Sequence, residues 1–185
     1  MDVHDCIRTR RSMRKYTEDP LPKEKLERVL EAIQWAPSWV NLQPWEVIVV
    51  DDPAVKAALQ EAVAESNPSR KAVVGAPVIL AVAGRTGKSG YYGQKPATVH
   101  GDWVMFDIGI ACQNACLAAW AEGLGTVHLG LFDHEKAAKV LNLPPDVKLF
   151  ELIPLGSPAK EGKAPPRKNI VEFTHKNRFG EPYPG

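Results

Sequence analysis

Residues 36–45 read Ala36-Pro37-Ser38-Trp39-Val40-Asn41-Leu42-Gln43-Pro44-Trp45 and separate a predicted helix from a predicted strand. Two prolines stiffen this segment, which we call the amide loop (residues 37–45) because Asn41 and Gln43 lie two positions apart in it. A rigid loop with side-chain amides suits the edge of a planar heterocycle, which presents hydrogen-bond donors and acceptors. The alternative is that the amides satisfy the loop's own backbone and that Trp39 and Trp45 pack into the core.

Helices and strands are predicted on both sides of the amide loop. Leu26, Val29, Leu30 and Ile33 repeat every three or four positions, which predicts a helix from about Leu21 to Ala36, where Pro37 ends it. The β-branched run 47–50 predicts a buried strand. The other predicted elements are helices at 3–9, 54–65, 102–122 and 133–141, strands at 77–83 and 150–155, a short strand-like piece at 125–130, and a mobile glycine-rich loop at 84–98.

The chain is predicted to be one domain followed by a tail. Its 185 residues, 44% of them hydrophobic, fit a single domain over residues 1–156. Five of the 16 prolines lie between Pro158 and Pro184, where few large apolar residues remain. The tail, residues 157–185, therefore cannot build a core of its own. It either frays or lies along another surface, such as that of a second subunit.

The charge balance excludes several classes of partner. There are 23 Lys and Arg against 22 Asp and Glu, so no global field attracts nucleic acid or an anionic membrane. Residues 1–12 lack the apolar run of a secretory signal. The apolar stretch 103–120 contains Asp107, Gln113 and Asn114, which predicts a buried helix rather than a membrane span. Three cysteines without framework spacing predict structural thiols and a cytoplasmic location.

Two basic clusters lie far apart in the sequence. Arg10, Arg11, Arg14 and Lys15 surround Ser12, and the pair Arg167-Lys168 lies in the tail. Guanidinium groups match phosphate oxygens in bidentate geometry, so the first cluster is a candidate phosphate clamp. The alternative is a solvated, charged turn. Both clusters could close on one phosphate, although the spacing alone does not require it.

Four motifs in order resemble the nitroreductase family of FMN-dependent oxidoreductases, and the resemblance covers essentially the whole chain. The motifs are Arg10-Arg11-Ser12-Met13-Arg14-Lys15-Tyr16, the segment 36–45, Gly123-Leu124-Gly125-Thr126, and Leu155-Gly156-Ser157-Pro158 followed by Arg167-Lys168. The resemblance implies an α+β fold with a central, mostly antiparallel sheet flanked by helices. It also implies a homodimer with FMN at the subunit interface and with the tail packed on the partner subunit.

The resemblance also assigns the site residues. Arg10, Ser12 and Arg167 would hold the phosphate with help from Lys168, and Arg11 would contact the ribityl chain or the phosphate. Arg14 would place a positive charge near the pyrimidine edge of the flavin, where it stabilises the anionic reduced form. The remaining residues implied at the flavin are Asn67, the backbone of His128, Leu129, Gly130 and Leu131, and Pro37, Ser38 and Asn41 of the other subunit. Trp39, which stands where the family often has a small residue, and His128 are candidates for the substrate pocket.

The activity implied is the transfer of electrons from NADH or NADPH to a small conjugated acceptor such as a nitroaromatic or a quinone. No residue is expected to be catalytic by itself, because the flavin carries the chemistry. The sequence has no G-x-S-x-G or H-E-x-x-H motif and no metal-ligand spacing among its histidines, so no metal is predicted. Two alternatives remain: a flavin storage or delivery protein, and a family offshoot that fragments flavin or removes halogen reductively.

Overall fold

The apolar runs of the sequence form strands in the computed structural model, which describes residues 1–184. The strands are β1 (Trp45–Val50), β2 (Val78–Arg85), β3 (Tyr91–Tyr92), β4 (Lys95–Pro96), β5 (Gly125–Thr126) and β6 (Val147–Gly156). Four of them form one sheet in the order β1-β2-β6-β5, and every neighbouring pair in it is antiparallel. The short strands β3 and β4 form a separate hairpin.

Six α-helices surround this sheet. They are α1 (Val3–Thr9), α2 (Lys23–Gln34), α3 (Pro53–Gln60), α4 (Arg70–Gly75), α5 (Val104–Ala121) and α6 (His134–Val140). Three of them begin at an aspartate whose side chain accepts a backbone N–H of the first turn: Asp2, Asp52 and Asp133. Such caps satisfy amides that have no partner inside the helix. The predicted α+β architecture is confirmed.

The core has two layers because β2 is buried on both faces. Leu80 and Val82 point to the layer that contains α2 and α5. Ile79 and Ala81 point to the layer that contains α3 and α6. Successive side chains of a strand alternate between the faces of a sheet, so a continuous apolar run is what a central strand between two helical layers requires.

One face of α5 is buried and the opposite face is exposed. Cys112 and Cys116 are completely buried against the sheet, whereas Met105 and Phe106 are 67% and 59% exposed. The exposed positions Met105, Phe106, Gly109 and Gln113 follow one another along a single side of the helix. By length and composition alone α5 could cross a membrane. Its buried face packs on α2 and β2, as expected of a core helix.

Several local predictions need correction. The helix predicted at 54–65 ends at Gln60, and α4, which was not predicted, follows it. The strand-like piece at 125–130 is a strand only at Gly125–Thr126. The loop at 84–98 was predicted to be mobile, but it contains the β3–β4 hairpin and is closed by the hydrogen bond from Ala97 N–H to Gly90 O (2.8 Å). Short glycine-rich elements of this kind have no periodicity from which they could be predicted.

The tail first packs on its own subunit. Thr17 N–H donates to Ser157 O and Ala159 N–H donates to Lys15 O, at 2.9 and 3.0 Å. Most residues from 164 to 184 are exposed. Four large apolar side chains of this part are more than half exposed: Ile170, Val171, Phe173 and Phe179. Any surface that the tail offers to a partner therefore begins after residue 163.

Candidate functional site

The two basic clusters of the sequence meet in one pocket. A cavity of about 240 Å³, which we call the basic pocket, is lined by Arg10, Arg11, Ser12, Arg14, Lys163, Pro165 and Arg167. The N-terminal segment and the tail therefore approach each other, as a shared phosphate site requires. An adjoining cavity of about 650 Å³ shares Ser12, Arg14 and Lys163 with the basic pocket and continues to Pro68 and Lys71.

Backbone pairing with β5 determines which side chains line the basic pocket. Ser12 bridges to Thr126, and Met13 N–H donates to Thr126 O at 2.8 Å. Because side chains alternate in extended backbone, Met13 is buried while Ser12 and Arg14 face outward. Gly125 allows this close approach, since a Cβ at that position would lie 2.7 Å from the Met13 side chain.

Arg10 provides a direct test of whether the basic pocket fits a phosphate. Its Nη1 atom is buried and has no hydrogen-bond partner among residues 1–184. A buried guanidinium nitrogen without an acceptor is costly, and phosphate oxygens match its geometry. The basic pocket therefore fits the phosphate of a nucleotide-like cofactor.

Arg11 and Lys168 differ from the other predicted phosphate ligands. Arg11 Nη1 already donates to the carbonyl oxygens of Arg8 and Arg10, at 2.8 and 2.7 Å. Arg11 therefore has only its other N–H groups available for a ligand. Lys168 is exposed and does not line the basic pocket. Lys163 lines it instead, and sequence reasoning missed this residue although it lies only four positions before Arg167.

A chain of hydrogen bonds connects Arg14 to the backbone that follows β5. Arg14 Nε donates to Ser69 Oγ at 3.0 Å, and Ser69 N–H donates to Asn67 Oδ1 at 2.9 Å. Asn67 Nδ2 in turn donates to Leu131 O at 3.1 Å. The structure therefore brings together the predicted residues Arg14, Asn67 and Leu131. Ser69, which joins them, was not predicted, because a single serine in a turn carries no distinctive signal.

The segment 128–131 is held at the sheet edge by backbone and side-chain contacts. Leu129 exchanges two backbone hydrogen bonds with Leu152, at 3.1 and 3.0 Å. His134 lies with Nε2 3.0 Å from Gly130 O and with Nδ1 2.9 Å from Leu149 O. These contacts fix the backbone that the resemblance places beside the flavin ring.

The ring of His128 is already engaged within the subunit. Nε2 lies 3.4 Å from Sγ of the buried Cys116, and Nδ1 lies 2.5 Å from Oε1 of Glu151. The hydrogen bond with Cys116 and then that with Glu151 raise the pKa of His128 to about 10. The His128 side chain is 37% exposed, so one edge of the ring still faces solvent.

The amide loop lies at the other end of α5 from the basic pocket. Trp39 N–H donates to Asp107 Oδ1 in the first turn of α5 at 3.1 Å. The N-terminal segment contacts the last turn, where Trp120 Nε1 donates to Thr9 Oγ1 at 2.8 Å. Asp107 and Trp120 are thirteen positions apart, which corresponds to a rise of about 20 Å along the axis of α5. Pro37, Ser38 and Asn41 therefore do not share a site with Arg10 of the same subunit.

This chain is similar to known proteins over most of its length. A model of the nitroreductase family matches residues 7–157. The chain belongs to the nitroreductase family. A protein of Methanothermobacter thermautotrophicus described as a putative NADH dehydrogenase/NAD(P)H nitroreductase is 35% identical over 164 residues, covering 86% of this chain and 79% of that protein. The resemblance found in the sequence motifs is therefore confirmed.

Two solved structures extend the comparison to the fold of this nitroreductase-family protein. A putative NADH dehydrogenase/NAD(P)H nitroreductase from Parabacteroides distasonis superposes with a TM-score of 0.81 at 29% identity, covering 96% of this chain and 98% of that one. An FMN-dependent nitroreductase from Clostridium difficile superposes with a TM-score of 0.78 at 25% identity, covering 95% and 99%. The nitroreductase-like fold is thus confirmed over nearly the whole chain.

Aromatic side chains surround Trp39 in this family member. We call Trp39, Tyr92, Trp103 and Phe106 the aromatic wall. The Trp39 ring centroid lies 6.0 Å from that of Tyr92 and 5.4 Å from that of Trp103, and Trp103 lies 5.1 Å from Phe106. The sequence analysis identified Trp39 but missed the other three. Tyr92 lies in a hairpin that was not predicted, and Trp103 and Phe106 lie at the start of a helix that was predicted only as a buried element.

Proposed function

We propose that this chain is an FMN-dependent oxidoreductase that passes electrons from NADH or NADPH to a small conjugated acceptor such as a nitroaromatic or a quinone. The observation that carries the proposal is the basic pocket, where two distant segments of a nitroreductase-family chain meet and leave the buried Arg10 Nη1 without an acceptor. When bound, FMN supplies hydride acceptance from the nicotinamide and electron delivery to the acceptor.

The residues of the basic pocket have separate tasks. Arg10, Ser12 and Arg167 bind the phosphate, with Lys163 as a further cation beside it. Arg11 contributes through the N–H groups that its backbone contacts leave free, and Lys168, next to Arg167 in the chain, adds positive charge outside the pocket. Arg14 and Asn67 orient the pyrimidine edge, while the backbone of His128, Leu129, Gly130 and Leu131 lies along the ring. The positive charge of Arg14 favours extra electron density on that edge.

The complete site needs a second copy of the chain. The amide loop and the basic pocket lie about 20 Å apart along α5, by its rise per residue, so one subunit cannot place both on one flavin. A two-fold axis beside the exposed face of α5 pairs two copies antiparallel and brings Pro37, Ser38 and Asn41 of one subunit toward the basic pocket of the other. Met105 then becomes buried, which removes a large apolar side chain from solvent.

The tail from residue 164 onward packs on that partner subunit. Four of its large apolar side chains are exposed within residues 1–184, and packing on a partner subunit would bury them: Ile170, Val171, Phe173 and Phe179. Trp39 and His128 face the acceptor, His128 through the ring edge that remains exposed. The homodimer is a cytoplasmic enzyme that needs neither nucleic acid nor a membrane, in keeping with its net charge of +1.

An anaerobic absorbance spectrum tests the proposal. Purified protein is expected to show flavin bands that bleach when NADH or NADPH is added, and the bands should return when a quinone is added. Bands that persist with both nicotinamides would indicate storage or delivery of flavin instead of turnover. A protein without flavin bands even after incubation with FMN would contradict the cofactor assignment.

A further inference from the structure

The amide loop is held in an unfavourable backbone conformation. Val40, Asn41 and Gln43 have φ angles of +41°, +58° and +49°. Left-handed backbone is uncommon outside glycine, and for a β-branched residue such as Val40 it is exceptional. A conformation of this kind persists only where the surrounding structure imposes it, and such places are frequently functional.

A buried carboxyl group at the start of α5 accepts the backbone N–H of the residue that precedes this left-handed segment. Asp107 is 2% exposed, and its Oδ1 accepts Trp39 N–H at 3.1 Å. Its Oδ2 accepts the hydroxyl hydrogen of Ser89, which is completely buried, at 2.5 Å. No cation pairs with Asp107 among residues 1–184. A buried carboxyl group adds little stability without such a pair, so its value lies in the geometry that it enforces.

Asp107 therefore joins two segments that carry the aromatic wall. Through Trp39 it holds the amide loop, and through Ser89 it holds the segment that leads into the β3–β4 hairpin and Tyr92. Ser89 O also accepts Trp103 N–H at 3.0 Å. The aromatic wall is thus fixed from one polar centre and does not depend on ring contacts alone.

Trp39 brings one unsatisfied group to this wall. Its indole Nε1–H is buried and has no acceptor among residues 1–184. Tryptophan can only donate through this group, and buried donors without a partner are rare. Tyr92, which lies against Trp39, is 69% exposed, so this side of Trp39 borders the solvent from which a ligand would approach.

We infer that Asp107 and Ser89 are positioning residues that fix the aromatic wall as the binding surface for the electron acceptor, and that Trp39 Nε1 donates a hydrogen bond to an oxygen of that acceptor. The inference rests on the proposed function in that an acceptor must bind. Such a surface selects flat aromatic acceptors that carry a nitro or carbonyl oxygen, because the ring stacks on the aromatic wall while the oxygen accepts the hydrogen bond of the indole N–H.

The test measures binding without turnover. The dissociation constants of 4-nitrobenzyl alcohol and of benzyl alcohol, which lacks the nitro oxygens, are measured by equilibrium dialysis on the oxidised protein without nicotinamide. Trp39→Phe keeps an aromatic face but removes the donor. We expect it to weaken binding of the nitro compound by about tenfold, equivalent to about 1.4 kcal/mol, and to leave the affinity for benzyl alcohol within about twofold.

Asp107→Ala and Ser89→Ala test the positioning role. Both are expected to weaken binding of the nitro compound as Trp39→Phe does, whereas Asp107→Asn, which keeps an oxygen for Trp39 N–H, restores most of the affinity. Lys88→Ala alters an exposed neighbour of Ser89 and is the matched control. In turnover, Ser89→Ala and Asp107→Ala should raise the KM for the nitro compound more than the KM for ferricyanide, which has no ring to stack, and Lys88→Ala should change neither.

The outcomes separate this inference from the proposed function. If Ser89→Ala and Asp107→Ala leave nitro binding unchanged, or if all acceptors lose activity equally, the inference is overturned. Should Asp107→Ala fail to fold, Ser89→Ala and Trp39→Phe decide the question. A protein whose flavin bands do not bleach with nicotinamide contradicts the proposed function, whereas the dialysis result stands independently of that spectrum.

Discussion

The basic pocket lies at one end of α5, and the contact of Asp107 with Trp39 N–H and the Ser89 hydroxyl, which we call the junction, lies at the other. The two regions differ in how their polar groups are satisfied. In the basic pocket, cations from two segments face one cavity, and the buried Arg10 Nη1 has no partner. At the junction, a buried carboxyl group has a donor on each oxygen and holds a strained loop. The first region lacks a partner that must come from outside, whereas both oxygens of Asp107 already have a donor.

This difference indicates what each region does. A buried donor without a partner costs stability in the free protein, and a ligand that accepts its hydrogen bond recovers that free energy. The unpartnered donor therefore marks the basic pocket as a ligand site. Completed buried contacts stabilise one arrangement of the chain, which marks the junction as a support for a neighbouring site. Substitutions in the two regions should therefore act on different observables.

The largest effect is expected when a cation of the basic pocket is removed. Arg10→Ala or Arg167→Ala removes a charge-assisted contact worth about 1.5–3 kcal/mol, so the dissociation constant of FMN should rise about ten- to a hundredfold. Equilibrium titration of the apoprotein with FMN, followed by flavin fluorescence, measures this. Arg8→Ala is the control, because Arg8 is 72% exposed and pairs only with Asp5.

The same variants distinguish the two regions through stability. Arg10→Ala deletes an unsatisfied buried donor, so the unfolding free energy of the apoprotein should stay constant or rise slightly. A loss of more than about 1 kcal/mol would show that Arg10 has a structural partner and that the basic pocket resembles the junction after all. Unchanged FMN affinity in both variants would remove the basis for the phosphate assignment.

The next largest effect concerns His128. Each of its two ring nitrogens has a hydrogen-bond partner, as each oxygen of Asp107 does. Hydrogen bonds with Cys116 and Glu151 raise its pKa from 6.5 to about 10, so the folded protein binds this proton more tightly than the unfolded chain does. The resulting stabilisation is fully present below about pH 6.5 and is lost as the pH rises through about 10. Because the ring is 37% exposed and solvent screens its charge, we expect about 1–2 kcal/mol.

Urea unfolding of the wild type and of His128→Gln at several pH values measures this contribution. The difference in unfolding free energy should be constant at low pH, shrink between about pH 6.5 and 10, and stay near zero above that range. His4→Gln, at an exposed position near the N-terminus, is the matched control for replacing a histidine. A difference for His128→Gln that grows with pH would mean that the imidazole is held neutral in the folded protein.

The sequence predicted most of the regular elements, because these depend on local patterns. The helix at 3–9 has the predicted bounds, and the β-branched run at 47–50 became β1. The clusters around Arg10 and Arg167 were identified as a possible phosphate site, since cations without a structural partner stand out in a sequence. The structure adds their meeting in one pocket, which depends on the tail folding back over residues 10–14.

The junction could not be predicted in the same way. Asp107 appeared only as a polar residue in an apolar helix, and Ser89 as part of a glycine-rich loop. Their relation depends on the β3–β4 hairpin and on the left-handed turn at Val40, and neither has a periodic signature. Single polar residues acquire a role from long-range packing, which one sequence does not reveal.

The smallest expected effect tests whether the amide loop stores strain. Val40 is 66% exposed and adopts a φ of +41°, so Val40→Gly should relieve a left-handed conformation worth about 1–2 kcal/mol. Glycine also costs about 0.5–1 kcal/mol through the freedom of the unfolded chain. The net gain is about 0.5 kcal/mol, which should raise the Tm by about 1–2 °C in differential scanning calorimetry.

Val40→Ala, which shortens the side chain but keeps the strain, should not raise the Tm. A lower Tm for Val40→Gly than for Val40→Ala would show that the loop is relaxed, and Asp107 would then hold Trp39 without working against the backbone.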